Sequence, residues 1–431
     1  MIKKISFLIF LCAVVFSGSN VVQAEDDDSG AIGYYSRISA ISAEVAHLGR
    51  LIGIVSGAYI PKAFSDKDYN RVITGGVTWL MNAQEDDGHL KYEYLPYEDR
   101  YLDDDNTVRQ AGSLYGLGEV IRNDKGANFD IADTVERSIE YFENQTVAGT
   151  LNGQDFKCIV RYPGDNMCKL GATSLALVGI LGYVEAYPDR AATYSDLIDE
   201  YMAYVIAAKK EGAGFSGVYR ANRDTQNTKE SSYSNGEALL ALVRYYRYQP
   251  SAEVEETIDD MIAYISSDVE FDSSLYLWAM AAIKDATMLW PEKEYLSYVK
   301  AYTDWRIAPF RSRRMSTHNY CAYIEGVISA YSVLEPAISE SEKRWYTEEI
   351  DFWLDQSAGL QVSEKRHARI ISDGGVGIVK RMREGNKERA LGGFLTGWNE
   401  ATQRIDFTQH CLNSYLQKLV DIDGNELTSV Q

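Results

Sequence analysis

Two glutamates lie within segments that are otherwise apolar and have helical spacing. Glu237 is followed by Ala238, Leu239 and Leu240, and Glu325 lies between Ile324 and Gly326. Burying a carboxylate is costly unless it is paired or protonated, and an apolar setting raises a carboxyl pKa. A raised pKa is what a general acid needs near neutral pH. We therefore name Glu237 and Glu325 as candidate acids. A buried ion pair of Glu237 with Arg109 or Lys169 is the structural alternative.

Two aspartates are candidates for an ionised partner of such an acid. Cleavage of a glycosidic bond uses two carboxylates, one protonated and one acting as base or nucleophile. Asp105 and Asp406 begin apolar helical segments, although Asp105 and Asn106 are also suitable helix N-caps. Asp406 and His410 are four residues apart, so they share a helix face within hydrogen-bonding reach. A satisfied core histidine is the alternative role for His410.

Basic and polar side chains accompany these carboxylates at the starts of the same segments. The candidate substrate-binding residues are Arg109, Gln110, Lys169, Tyr233, Arg404 and His410. The number of cations indicates an acidic sugar, on which Tyr233 or His410 would remove a proton beside a carboxylate held by arginine. That is lyase or epimerase chemistry. A run of tyrosines predicts an aromatic wall at the same mouth: Tyr92, Tyr94, Tyr97 and Tyr101.

The elements that must position these residues are helices of two alternating kinds, with almost no convincing strand between them. One kind is apolar on nearly every face and rich in Gly and Ala, which predicts burial. These helices are expected to begin near Thr107, Lys169, Ser234, Ser273, Asn319 and Arg404. The other kind is amphipathic. These begin near Asn128, Thr193, Ala252, Glu292 and Ser339, with residues 65–82 as a sixth.

The connections between the helices alternate between short and long. Proline marks four tight junctions from a buried helix to an amphipathic one: Pro188, Pro250, Pro291 and Pro336. Long connections precede most of the buried helices, at residues 84–105, 147–168, 211–233 and 356–403. Six pairs with buried inner helices predict an all-α ring, an (α/α)6 toroid, whose inner helices begin at one common mouth. A further helix is expected at residues 36–56.

The pattern resembles the α/α-toroid proteins, which include six-hairpin glycosidases, polysaccharide lyases and uronyl epimerases, and more distantly terpenoid cyclases. The motifs that carry the resemblance are short. Gln84-Glu85-Asp86-Asp87-Gly88 is similar to the turn that follows an outer helix in such repeats, and residues 169–172 and 235–239 are similar to inner-helix starts. The resemblance implies a carbohydrate-active enzyme, a hydrolase or a lyase or epimerase. A non-catalytic toroid that binds a glycan, peptide or protein is the alternative.

The N-terminus predicts export. Lys3 and Lys4 precede an apolar segment of signal-peptide length, and Val22-Gln23-Ala24 supplies a cleavage site. Cleavage would leave residues 25–431 as a single toroid domain in the periplasm or outside the cell. Loss of the two lysines would change the net charge from −20 to −22. That sign argues against nucleic acid as a partner, and no later segment predicts a membrane span. We expect a monomer with a carbohydrate substrate.

Four cysteines would remain after cleavage, and an even number in an exported chain predicts disulfides. Cys158 and Cys168 flank a turn, so this local pair is favoured among the three possible pairings. Zinc ligation by His318, Cys321, His410 and Cys411 is the alternative, but no CxxC or HExxH motif accompanies them. We therefore expect no metal and no cofactor.

Overall fold

The structure is a computed structural model. It describes residues 65–124, 129–151, 153–227, 229–307, 320–363, 368–373, 376–397, 400 and 402–428. These residues lie in one compact unit that extends from Arg50 to Gln431. The predicted signal peptide, the helix expected at residues 36–56 and His318 lie outside the described residues.

Six inner helices carry the core of this unit. They are α2 (Thr107–Asn123), α4 (Leu170–Ala186), α6 (Ser232–Tyr248), α8 (Ser273–Leu289), α10 (Tyr320–Leu334) and α13 (Ile405–Gln417). Most residues of each inner helix are buried, as the all-round apolar pattern predicts. Small residues allow two of them to approach closely, because a Cβ at Gly118 would lie 2.7 Å from the backbone of Gly179. The predicted starts agree with the observed ones within two residues.

Six outer helices pair with the inner ones. They are α1 (Asp66–Asn82), α3 (Ala132–Asn144), α5 (Ala191–Ala207), α7 (Ala252–Ser267), α9 (Leu296–Ile307) and α11 (Glu340–Ala358). Each buries one stripe and leaves its other side in water. A short helix, α12 (Glu384–Ala390), belongs to the last long connection. Ser65 and Ser339 form capping boxes that begin α1 and α11.

The inner helices close into a ring. Each packs against the next along the chain, and α13 packs against both α10 and α2. A disulfide between Cys321 and Cys411 joins α10 to α13. The other disulfide joins Cys158 to Cys168, the predicted local pair. The described residues therefore form the (α/α)6 toroid that the sequence predicts.

The short and long connections lie at opposite ends of the ring. Pro188 and Pro336 each lie in a 3-10 turn, and Pro250 and Pro291 lie two residues after the ends of α6 and α8. The long connections contain short strands that the sequence analysis did not predict. These are β1 (Glu93–Leu95), β2 (Arg100–Tyr101), β3 (Thr146–Leu151), β4 (Gln154–Ile159), β5 (Met167–Lys169), β6 (Val218–Arg220), β7 (Thr225–Gln226), β8 (Ala368–Asp373), β9 (Val376–Arg381) and β10 (Gln403–Arg404).

These strands pair antiparallel, and two of the pairings join connections that are distant in sequence. β1 pairs with β2 and with β10, which links the first long connection to the last across the ring closure. β6 pairs with β5 and β7, while β3 pairs with β4 and β8 with β9. The strands of two or three residues are too short to leave a periodic signal in the sequence. The six-residue strands of the β3–β4 and β8–β9 hairpins were missed as well.

The Gln84–Gly88 turn follows outer helix α1 as the motif predicts. Gln84 Nε2 donates to the carbonyl oxygens of Gly88 and Thr134 and to Ser138 Oγ, at 2.8–3.2 Å. Gly88 has φ of +87°, and a Cβ there would lie 2.0 Å from the Arg137 carbonyl oxygen. Only glycine fits this close approach, so the turn docks the first long connection onto α3.

Candidate functional site

A cavity of about 1280 Å³ opens at the end of the ring where the inner helices begin. All six inner helices contribute side chains from their first two turns. Examples are Arg109, Leu175, Glu237, Tyr276, Tyr323 and His410. The volume exceeds the roughly 300–1,000 Å³ of pockets for small ligands, so the cavity has room for more than one sugar ring. The common mouth that the sequence predicts is confirmed.

Glu237 lies in the second turn of α6 and lines the cavity while only 4% exposed. Its Oε2 packs so closely on Gly171 of α4 that a Cβ there would lie 2.1 Å away. No described residue forms a hydrogen bond or ion pair with the carboxyl group. Burial raises the pKa of Glu237 to about 8. Its carboxyl group is therefore mostly protonated at neutral pH, and the ion pair with Arg109 or Lys169 weighed above is not formed.

Glu325 is fully buried in α10 behind the cavity wall, and it holds His410. Glu325 Oε2 lies 2.7 Å from His410 Nδ1, and Asn413 Nδ2 donates to Oε1 at 3.0 Å. His410 lines the cavity beside the Trp278 ring, whose centroid is 5.8 Å away. With Nδ1 engaged by Glu325, Nε2 has no hydrogen-bond partner among the described residues. This arrangement orients an imidazole for proton transfer.

Asp406 also lines the cavity, but arginines engage both of its carboxylate oxygens. Arg404 Nε and Nη2 donate to Oδ1 and Oδ2 at 3.0 and 2.5 Å, and Arg109 Nε lies 3.1 Å from Oδ2. Arg109 also donates to the Tyr92 hydroxyl. His410 and Asp406 share a helix face as predicted, but each bonds to other partners. Asp406 neutralises one of the two positive charges of Arg109 and Arg404, so these arginines offer an anionic substrate less charge than their number indicates.

Asp105 lies at the cavity rim. Gln110 Nε2 donates to its Oδ1 at 2.8 Å, and His89 Nε2 lies 3.6 Å from Oδ2. Burial opposes ionisation, but the nearby His89 imidazole and the hydrogen bond from Gln110 outweigh it and lower the pKa of Asp105. Gln110 is buried and does not line the cavity, because its amide also bonds the backbone of Leu90. The helix cap itself is Asn106, which accepts from Arg109 N.

Lys169 and Tyr233 complete the predicted set, and both line the cavity. Lys169 ends β5 directly before α4 and forms no ion pair with a described residue. Tyr233 is 56% exposed at the rim. The predicted tyrosine wall is wrong in its members. None of the four predicted tyrosines is among the described lining residues, although Tyr92 is buried beside the wall, where Arg109 donates to its hydroxyl. The aromatic residues that line the cavity are Tyr162, Tyr233, Tyr276, Trp278, Tyr320, Tyr323 and Phe407.

Sequence reasoning missed Arg306, which lines the cavity from the last turn of outer helix α9. It also missed Glu230 in the connection before α6, whose pKa is lowered by hydrogen bonds from Lys210, Asn235 and Tyr264 despite partial burial. The predicted topology could have identified Arg306 as a candidate lining residue. Outer helices end at the mouth where inner helices begin, so a polar residue in an outer last turn can reach the cavity.

The described residues contain no cluster of His, Cys, Asp and Glu suited to a metal ion. Cys321 and Cys411 are joined to each other, so neither offers the thiolate that the zinc alternative requires. Within the same part of the chain, no helix is long and apolar enough to cross a membrane.

Comparison with known proteins identifies the fold. No family model matches the chain, and no curated protein matches its sequence. Among solved structures, the GH76A α-1,6-mannanase of Salegentibacter sp. HEL1_6 is similar with a TM-score of 0.57 and 11% identity, over 82% of this chain and 100% of that one. A sugar epimerase from a ruminal bacterium aligns with a TM-score of 0.57 and 10% identity, over 84% and 99%. D-mannose isomerase aligns with a TM-score of 0.56 and 10% identity, over 83% of this chain and 99% of that one. At this identity the likeness establishes the six-hairpin toroid fold.

Proposed function

We propose that this chain is a carbohydrate-active enzyme that binds an oligosaccharide in the toroid cavity and acts on it by acid–base catalysis. The observation that carries the proposal is Glu237, a buried carboxyl group with no partner among the described residues that faces a large cavity. A group that is protonated at neutral pH and reachable by substrate has the property of a general acid.

Three features support a carbohydrate as the substrate. Aromatic rings line the cavity and match the faces of sugar rings. The volume suits several rings, and the remaining lining is polar. The similar solved structures are named as mannanases, a sugar epimerase, a cellobiose 2-epimerase and a mannose isomerase. The likeness in fold raises the expectation of sugar chemistry without specifying the reaction.

For hydrolysis, Glu237 would donate its proton to the glycosidic oxygen, and an ionised carboxylate would activate water or attack the sugar. Asp105 suits this second role better than Asp406, because both oxygens of Asp406 are engaged by arginine. Variants of the Salegentibacter mannanase with two consecutive aspartates replaced are named inactive. In this chain Asp103, Asp104 and Asp105 are consecutive, and of these Asp105 lines the cavity.

A second candidate reaction is proton transfer on the sugar itself, as in epimerisation or elimination. The hydrogen bond between Glu325 and His410 Nδ1 favours it, because an imidazole held at one nitrogen can remove a proton with the other. Glu237 would then return a proton to the sugar or protonate the leaving oxygen.

Incubating the purified protein with neutral and uronate-containing oligosaccharides tests the proposal. New reducing ends would indicate hydrolysis, an altered sugar stereochemistry would indicate epimerisation, and absorbance of a new double bond would indicate elimination. Glu237→Gln should abolish turnover with the fold intact by circular dichroism. Glu294→Gln, which changes an exposed glutamate away from the cavity, is the matched control.

His410→Asn separates the two candidate reactions. It should abolish proton transfer on the sugar and leave hydrolysis by Glu237 and Asp105 measurable. Absence of turnover on the whole panel, or full turnover by Glu237→Gln, would contradict the proposal and favour a toroid that only binds its ligand.

We further propose that the protein is exported and that its leader is removed after Ala24. The charged and apolar N-terminal pattern and two disulfides support this, because disulfides persist in oxidising compartments. Mass spectrometry of the protein from the periplasm or medium should give a chain that begins at Glu25. A chain that keeps Met1 and stays in the cytosolic fraction would contradict export.

A further inference from the structure

Arg306 reaches the cavity from the outer layer of the ring. It lies in the last turn of α9, but its side chain extends between inner helices α8 and α10. The guanidinium carbon is 4.6 Å from the centroid of the Tyr323 ring and 5.9 Å from that of Tyr276. The residue is only 7% exposed, and its exposed part lines the cavity.

This buried guanidinium has no counter-charge among the described residues. It forms no hydrogen bond or ion pair with them, and Nε is buried without a hydrogen-bond partner. The two tyrosine hydroxyls beside it donate elsewhere, from Tyr276 to Thr303 Oγ1 and from Tyr323 to Glu349 Oε1. Burial lowers the pKa of Arg306, although the neighbouring tyrosines oppose this. Arginine nevertheless stays protonated in proteins, so the charge remains without a counter-anion among the described residues.

The cavity around Arg306 is electropositive within an acidic chain. Of the described lining residues, six are arginines or lysines and four are aspartates or glutamates, whereas the whole chain has a net charge of −20. Glu237 is mostly uncharged at neutral pH, which widens the excess. Arg109 and Arg404 are already paired with Asp406. Arg306 and Lys169 are therefore cations of the wall that remain available to a ligand.

The chemistry of this position selects a single planar anion. A guanidinium presents parallel N–H donors that match the two oxygens of a carboxylate. The faces of Tyr276 and Tyr323 flank the guanidinium and supply apolar contact for a ring next to that anion. A carboxylate attached to a sugar ring, as in a uronic acid, fits these features.

We propose that Arg306 binds the carboxylate of a uronic-acid residue, so that the substrate of this cavity is an acidic glycan. This inference rests on the proposed carbohydrate-active function and specifies its substrate class.

Calorimetric binding to the full chain tests the inference without any catalysis. The probes are a uronic-acid oligosaccharide, the same oligosaccharide with its carboxyl groups reduced to alcohols, and a sulfated neutral oligosaccharide. The uronate should bind at least tenfold more tightly than its reduced form. Arg306→Gln should weaken uronate binding by 30-fold or more and change binding of the reduced form less than threefold. Arg306→Lys should recover part of the uronate affinity.

Arg220→Gln is the matched control, because it removes one positive charge from an exposed arginine of β6 that does not line the cavity. It should change uronate binding less than threefold. Equal binding of uronate and reduced probe by the unaltered protein would overturn the inference with no variant needed. Preference for the sulfated probe over the uronate would also overturn it.

Failure of this inference differs from failure of the proposed function. If neutral oligosaccharides are bound and turned over while Arg306→Gln affects all probes equally, only the acidic-glycan inference fails. If no oligosaccharide of any class is bound or turned over, the carbohydrate-active function fails as well.

Discussion

Ionisable side chains are buried at both ends of the inner ring, and the two ends differ in whether these side chains have ion-pair partners. At the end opposite the cavity, Arg244 of α6 lies between Glu119 of α2 and Asp285 of α8, each four residues before the end of its helix. Arg244 Nη1 and Nη2 donate to Glu119 at 2.9 and 3.2 Å, and Nε donates to Asp285. Although burial opposes it, Arg122 and Arg244 hold the pKa of Glu119 well below its usual range.

At the cavity end, Glu237 and Arg306 are buried to a similar degree and have no partner among the described residues. The comparison shows that buried charges form ion pairs with each other at the end opposite the cavity, where their side chains only contribute to packing. An unpaired carboxyl group and an unpaired guanidinium both cost stability, so leaving them at the cavity is explained by a ligand that engages them. We call Glu119, Arg244 and Asp285 the paired cluster.

The largest expected effect is on activity at the unpaired end. Glu237→Gln removes the only proton that the side chain can donate as an acid, so kcat should fall by about 10²–10⁴-fold. Glu119→Gln in the paired cluster should lower stability and leave the specific activity of the folded fraction unchanged. Steady-state kinetics with denaturant unfolding of both variants checks this. Comparable losses of kcat in both would remove the functional distinction between the ends.

The same substitution at the two ends should have opposite effects on stability. Arg244→Met leaves Glu119 and Asp285 buried without their cation and should lower the free energy of unfolding by about 3–5 kcal/mol. Arg306→Met removes a buried charge that has no ionic partner among the described residues, so its effect should be neutral or stabilising. Urea unfolding at neutral pH measures both. If Arg306→Met destabilised the fold as much as Arg244→Met, Arg306 would have a structural counter-charge.

The pH dependence of stability sharpens the comparison at Glu237. Its pKa is about 8 in the folded protein and near its ordinary 4.5 when unfolded, so the folded state keeps the proton longer. The contribution of Glu237 to the free energy of unfolding is fully present below pH 4.5 and is lost as the pH rises to about 8. Glu237→Gln should therefore gain a few kcal/mol relative to the unaltered protein across that window. A difference that stays constant from pH 5 to 8 would show that Glu237 does not titrate unusually.

Asp406 is intermediate between the two ends, because it lines the cavity and is paired with Arg109 and Arg404. Asp406→Asn should lower the free energy of unfolding by about 1–2 kcal/mol, since both arginines are partly exposed and water replaces part of the interaction. Thermal and urea unfolding measure this. A loss as large as that expected for Arg244→Met would show that Asp406 has a structural role like that of the paired cluster.

Much of the architecture could be predicted from the sequence. The alternation of all-round apolar and amphipathic segments predicts two layers, and Pro188, Pro250, Pro291 and Pro336 mark where inner helices turn into outer ones. These features act locally, since helix periodicity and proline geometry depend on neighbouring residues. The pairing of β1 with β10 was missed because contacts such as that of Glu93 with Arg404 are set by ring closure.

The candidate site was predicted in part. Starting positions of inner helices identify residues near the mouth, and Asp105, Arg109, Lys169, Tyr233, Glu237, Arg404, Asp406 and His410 all line the cavity. Their partners could not be predicted. Glu325 bonds His410, and Asp406 bonds Arg109, because each pair joins two different inner helices at a distance that only packing determines.

The sequence by itself determined the helices, their alternation and the end of the ring at which polar residues gather, because backbone propensity and hydrophobic periodicity are local properties. Only the tertiary structure decided which buried charges are paired. Arg244 and Arg306 look equally ordinary in the sequence, but closure of the ring brings Glu119 and Asp285 to the first. Closure of the ring places Arg306 beside two tyrosine rings at the wall of an open cavity. Charge pairing depends on distances across helices far apart in the chain, and those distances exist only once the ring has formed.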